Sequence, residues 1–279
     1  MATREMTEVI DLVNSEAARL GDFLTDLGEQ SWSRDSACQG WKVGDVVAHL
    51  AIAAETWAVS LQRALAGDAG PPAGQSYLAA GERGSAIIAQ AAVSHHRQLG
   101  RKLLQDYTAG YGRLSQVLSS LSAVDWDKPC FHRRGNMPVR DFVAVRVQEL
   151  AVHGWDIRSG LDPSAEIGQE SLPQLVKMTP RWLRSAFRPD PGLPTPARFR
   201  FEVSGPVPVR QDVVVNNDSF QTEPAVEGRA DVIFRCNTGN YILLIYGRLS
   251  VAEGLTSGRL SIDGSRKRAT HFTSWFQGF

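Results

Sequence analysis

The sequence predicts a two-domain α+β chain, with a four-helix bundle first and a small α+β domain after it. Three observations predict this. Apolar residues recur at helical spacing as far as Ile157, four prolines crowd between Arg188 and Pro196, and beyond them the apolar period drops to two. The expected boundaries are a bundle over 1–165, a connecting helix and Pro-rich linker over 166–196, and the α+β domain over 197–279.

Between Met6 and Leu27 the residues Val9, Ile10, Val13, Leu20, Phe23, Leu24 and Leu27 fall on one face of an amphipathic helix. Val43 to Leu65 reads as a second helix, ended by the Gly/Pro-rich stretch Gly67–Gly74. Ala86 to Leu121 has few breakers and an apolar stripe that includes Leu99, Leu103, Tyr107, Leu114 and Leu118, which predicts one long helix with any break near Gly110 or Gly112. A polar loop over Asp125–Pro138 precedes a fourth helix, Val139–Ile157. Four helices of this length suit an antiparallel bundle.

Leu172–Phe187 is expected to be the connecting helix. After the prolines, Phe199, Phe201 and Val203 alternate with charged residues as in a half-buried strand. Val213–Val215, Val232–Phe234 and Leu260–Ile262 are further strands, and Tyr241–Tyr246 and Arg268–Phe276 are helices, the last placing Phe272, Trp275, Phe276 and Phe279 on one face. The switch in period makes this half a small α+β domain.

Composition narrows the function. Among 279 residues, thirty Lys+Arg balance thirty Asp+Glu, and no basic block stands out, so nucleic acid is not an expected partner. Charges scattered through the first twenty residues, and the lack of an apolar run near the roughly 20 residues that span a bilayer, argue against a leader or a membrane anchor. Three widely spaced cysteines fit a reducing cytoplasm better than a disulfide framework. The expected protein is cytoplasmic, a monomer or a homodimer.

One constellation offers chemistry. Glu149 and His153 stand four residues apart on the fourth helix, so both can face one ion. Their neighbours Leu150 and Val152 are apolar, and a carboxylate there is costly unless paired or coordinated. His49, among Val46, Val47, Ala48 and Leu50, is a possible third ligand. Two imidazoles and a carboxylate with an open position form a ligand set used by catalytic zinc and by some non-haem iron sites. On spacing alone a structural or surface Glu–His pair is the commoner account. His95 and His96 point in different directions on their helix and read as a solvated face.

The residues Cys38-Gln39-Gly40-Trp41-Lys42-Val43-Gly44-Asp45-Val46-Val47-Ala48-His49-Leu50 and, a hundred residues on, Glu149-Leu150-Ala151-Val152-His153-Gly154-Trp155-Asp156-Ile157 closely resemble the mycothiol-dependent maleylpyruvate isomerase family. That resemblance implies a DinB-like four-helix bundle holding a divalent metal, zinc by first choice, through His49, Glu149 and His153, with mycothiol as thiol cosubstrate. Trp41, Asp45, Trp155 and Asp156 also match family positions, where helix-start and packing roles explain them equally well. Ala230-Asp231-Val232, the Leu243–Arg248 stretch and Gly258–Gly264 resemble the sterol-carrier-like domain that accompanies the bundle, and imply Arg248, with Arg259 behind it, as an arginine of the active site. Asp156 is the candidate to assist catalysis. Gln39 stands where the family commonly has proline.

The implied function is attack of the thiol on a small electrophilic metabolite, with S-transfer expected first. A cis–trans isomerase of the maleylpyruvate type is the alternative, and its dicarboxylate substrate would need cations that Arg133, Arg134, Arg140 and Arg146 can supply. A non-catalytic lipid or small-molecule carrier with a structural metal is a third reading.

Overall fold

The computed structural model describes residues 2–79 and 84–278; Phe279, expected on the apolar face of the last helix, lies outside them. The chain forms two compact units, residues 1–167 and 168–279.

In the first unit, α1 (Ala2–Thr25), α2 (Val43–Leu65), α4 (Leu103–Ser119) and α5 (Val139–Ser159) form the bundle, α2 touching both α4 and α5, and α1 touching the same two. The predicted third helix is two. α3 (Ser85–Leu99) ends at Gly100, whose φ of 50° is a left-handed conformation that glycine adopts without strain, and a single 3-10 turn leads into α4. Gly110, expected near a break, instead lies inside α4, where a Cβ would sit 3.4 Å from the Ala51 carbonyl and 3.5 Å from Ala54. It permits α4 to approach α2 closely. α3 packs on α2 from outside the bundle, and of its side chains only Ala92 is buried.

His95 and His96 are not simply solvated. His95 Nε2 lies 2.8 Å from Asp106 of α4, and His96 Nδ1 lies 2.8 Å from Asp45 of α2. Each ring therefore ties α3 to a different bundle helix. The loop before α5 carries a short antiparallel hairpin, β1 (Pro129–Cys130) with β2 (Met137–Pro138).

The second unit begins with α6 (Leu172–Ala186), the helix expected to be a connector, which packs on α7 (Thr238–Ile245). Its five-stranded sheet has the order β5-β4-β3-β6-β7, from β3 (Ala197–Ser204), β4 (Val209–Asn216), β5 (Ser219–Pro224), β6 (Val232–Asn237) and β7 (Ser261–Gly264). Neighbours are antiparallel except β3 and β6, which pair in parallel from Phe199↔Val232 to Ser204↔Asn237. The short α8 (Val251–Thr256) and strand β5 have no periodic signature; β5 is paired on one side only, and none of its side chains is buried. The rings of Phe199, Phe201 and Phe234 meet Phe272 of α9 (Arg266–Trp275) at 5.1–5.8 Å between centroids, which builds the core between sheet and helix.

Candidate metal centre

The first motif is a loop that turns into a helix. Ser36 Oγ donates to the Trp41 carbonyl at 2.9 Å, and the Lys42 N–H donates to Asp45 Oδ2 at 2.8 Å, which caps the start of α2. The Ala37 N–H donates to the carbonyl of Asp156 at 2.9 Å, fastening this loop to the last turns of α5. Gly160 makes the approach possible, because a Cβ there would lie 2.3 Å from the Asp35 carbonyl oxygen.

His49, one turn beyond Asp45 on α2, meets Glu149 and His153 of α5. His49 Nε2 lies 3.1 Å from Glu149 Oε2, and His153 Nε2 lies 3.7 Å from the same oxygen. The two imidazoles stand edge to face with centroids 4.9 Å apart, and the donor atoms of all three residues lie within 4.8 Å of one another. Four-coordinate zinc with bonds of 2.0–2.2 Å spaces its donors about 3.4 Å apart, between the two distances found here. The donor set therefore fits a cation of that size. The three side chains keep 16%, 26% and 15% of their surfaces open, enough for a ligand to reach the centre from solvent.

Trp41 presents an edge-on contact to His49 at 5.5 Å. Asp156, expected to assist catalysis, is wholly buried, and its Oδ2 lies 2.9 Å from His153 Nδ1. From there it acts through the imidazole: it favours a proton on Nδ1, which would leave Nε2 as the nitrogen offered to a bound cation. Cys38 is also hydrogen-bonded to His153, a contact that only the fold reveals. Trp155 Nε1 donates to the Ala165 carbonyl at 2.9 Å and anchors the chain beyond α5.

Electrostatics separate the two histidines. Burial lowers the His49 pKa against the pull of Glu149, and the neighbouring charges of His153 and Arg146 act in the same direction as burial, so this ring is held neutral. Burial also opposes charge on His153, but the hydrogen bonds with Asp156 and Cys38, and the carboxylates of Asp156 and Glu149, outweigh it and raise the pKa. Burial favours a neutral Glu149; the hydrogen bond from His49 and the charges of Arg146, His153 and His49 reverse that and hold its carboxyl well below the usual range. Without a cation, a proton on His153 balances the cluster.

Arg146 lies one turn before Glu149 with 1% of its side-chain surface exposed. Its Nη2 is 3.4 Å from Glu149 Oε2, and its guanidinium lies 4.7 Å from the ring centre of Trp57. None of Nε, Nη1 and Nη2 makes a hydrogen bond among the described residues. A cation–π contact supplies about 0.5–2 kcal/mol, against several kcal/mol for desolvating an ion.

The model of the mycothiol maleylpyruvate isomerase N-terminal domain matches residues 13–158, just over half of the chain. The chain belongs to the mycothiol maleylpyruvate isomerase family. The SCP-2 sterol transfer family model matches residues 194–277 of this family member. A crystal structure of a mycothiol-dependent maleylpyruvate isomerase is similar to it with a TM-score of 0.64 and 16% identity, covering 88% of this chain and 90% of the other. A mutant of the mycothiol-dependent maleylpyruvate isomerase gives 0.65 and 14%, covering 92% of both chains. At these identities the likeness is one of fold. No curated protein sequence matches. In this isomerase-family chain Arg248 lies beyond α7 in the second unit, half-buried, with Nη1 donating to the Tyr246 carbonyl at 3.3 Å. Arg259 Nε donates to Asn240 Oδ1 at 3.0 Å. No described helix is long and apolar enough to cross a membrane.

Proposed function

We propose that this chain is a metal-dependent enzyme that uses mycothiol as nucleophile on a small electrophilic metabolite, with His49, Glu149 and His153 holding the cation. The convergence of these three donors from two distant segments carries the reading. A divalent cation there supplies Lewis acidity, which makes a thiol a nucleophile at neutral pH.

The chain's own groups do the rest. The neutral His49 and the ionised Glu149 are already in their ligating forms. Asp156 fixes the His153 tautomer from behind, and the three ligands keep enough open surface to admit a sulfur. As the sulfur bonds to one carbon of an activated C=C, the thiol proton goes to solvent and the π pair moves onto the conjugated carbonyl, leaving a single bond about which rotation is free. Family membership supports the isomerase outcome, in which that bond breaks again after rotation and the thiol is returned. S-transfer, in which the bond persists, shares every earlier step. For Arg248 we propose a part in substrate binding, tested by Arg248→Met, which should lower turnover and leave metal content intact.

The deciding experiment is metal analysis of the purified protein, then incubation with mycothiol and candidate electrophiles followed by mass spectrometry. An isomer of unchanged mass marks isomerisation, and a product heavier by the thiol marks transfer. Glu149→Gln should lose metal by at least about tenfold in affinity together with turnover. Full metal content with lost turnover would make Glu149 a base and not a ligand.

A further inference from the structure

Most tryptophans of the chain have plain structural duties. Trp126, Trp155 and Trp275 are buried, and Trp182 stacks on Tyr246 with its Nε1 donating to the Ile245 carbonyl. Trp57 is partly exposed, but its ring already carries the Arg146 guanidinium at 4.7 Å and meets Phe142 at 3.8 Å. Trp41 is different. Its ring keeps open surface and stands 5.5 Å from that of His49, edge to face. Exposed aromatic side chains are common, so exposure alone decides nothing; the way this one is held does.

The Trp41 N–H donates to the Cys38 carbonyl at 3.0 Å, and the Trp41 carbonyl accepts from the Ser36 N–H at 3.0 Å and from Ser36 Oγ at 2.9 Å. Gly40, just before it, takes a φ of 80° that side-chain-bearing residues adopt only under strain. A Cβ on Gly40 would meet nothing within 4 Å, so the glycine serves the turn and not a close approach. The same loop reaches both ligating imidazoles, since Cys38 bonds to His153 and Trp41 meets His49. It is thus a wall of the cluster, with a fixed, partly open indole on it. The rim of that wall is polar: Asp35, Gln39 and Lys42 are exposed, and Lys42 Nζ is paired with Asp35 at 2.6 Å. An aromatic face ringed by hydrogen-bonding groups suits a sugar, whose C–H face is apolar and whose edge carries hydroxyls.

We infer that Trp41 is the platform for the carbohydrate part of the thiol cosubstrate, and that it selects a glycosylated thiol over a simple one. Mycothiol carries its sulfur on an N-acetylcysteinyl group joined by an amide to a glucosamine–inositol unit. From the sulfur to the first sugar ring that stem extends about 6 Å, comparable with the 5.5 Å between the Trp41 and His49 rings. With the sulfur at the cluster, the glucosamine therefore reaches the indole. The inference rests on the proposed function for the place of the sulfur, and adds what holds the other end of the molecule.

The test is calorimetric titration of the zinc-loaded protein, without electrophile, using mycothiol and N-acetylcysteine, which offers the same sulfur and no sugar. Mycothiol should bind about tenfold more tightly or better, the contribution of an anchoring aromatic. Trp41→Leu, which keeps an apolar side chain and removes the ring, should weaken mycothiol alone and bring the two thiols within about twofold. Trp41→Phe should keep most of the preference, and zinc content should be unchanged in both variants. The glucosamine–inositol unit without its thiol should compete with mycothiol in the wild type and not in Trp41→Leu. Equal binding of the two thiols by the wild type, or a Trp41→Leu variant that weakens both alike, overturns the inference and leaves turnover with mycothiol standing. If Trp41→Leu does not fold, Trp41→Phe and Trp41→Gln decide by the same ratio, kept in the first and lost in the second. A preference that follows Trp41 in a protein that turns over no electrophile supports the inference and refutes the proposed function, and binding of neither thiol overturns both.

Discussion

Replacing Asp156 by asparagine removes a charge and keeps a shape. The carboxylate is wholly buried and lies 2.9 Å from His153 Nδ1, so the variant exchanges a charge-assisted hydrogen bond for a neutral one in the same place. Hydrogen bonds to charged groups contribute about 1.5–3 kcal/mol, against about 1 kcal/mol for neutral pairs. The difference, about 0.5–2 kcal/mol, corresponds to roughly 2- to 30-fold in an equilibrium constant. It should be felt at Nε2, because an imidazole whose other nitrogen donates to a carboxylate is the better base toward a cation. Asp156→Asn should therefore weaken zinc by that factor in a chelator competition at neutral pH, and Asp156→Ala, which leaves a buried N–H without an acceptor, by about 10- to 100-fold. Folding should survive in the asparagine variant, since the Asp156 carbonyl still receives the Ala37 N–H. Zinc affinity within twofold of wild type in both variants would refute the assignment of Asp156 as the group that fixes His153.

Two predictions concern the frame around the site. Gly160→Ala should push the Asp35 carbonyl off the end of α5 and cost about 1–3 kcal/mol, read as a lower denaturant midpoint and as a disturbed Cys38–His153 contact. Asp125, before the β1–β2 hairpin, is held down at about 2 by hydrogen bonds from Lys128 and from the Ser122 side chain and backbone. A depressed carboxyl contributes stability above its unfolded pKa and loses it as pH falls through the folded one, so the melting temperature of wild type should exceed that of Asp125→Asn by a constant margin above about pH 5. The margin should close between about pH 4 and 2; a margin independent of pH down to 2 would show that the charge contributes nothing.

By itself the sequence determined the elements with long, regular apolar faces. The limits of α2 follow from a capping carboxylate three residues in and a Gly/Pro-rich end, β3 follows from alternation, and β6 from a short apolar run. The pairing of Glu149 with His153 was equally legible, since helical spacing alone puts both on one face. What has no local pattern was lost: the break at Gly100 hides within a continuous apolar stripe, β5 is an edge strand with no buried side chain, and the His95 and His96 carboxylate partners sit on other helices. Whether His49 meets the α5 pair depends on how α2 packs against α5, and the motif order could only suggest it by resemblance. Tertiary structure also decided that Arg146 is buried while Arg133 and Arg140 are paired elsewhere. Spacing along a chain fixes directions within one helix, but burial and hydrogen-bond satisfaction are set by what the other helices place opposite.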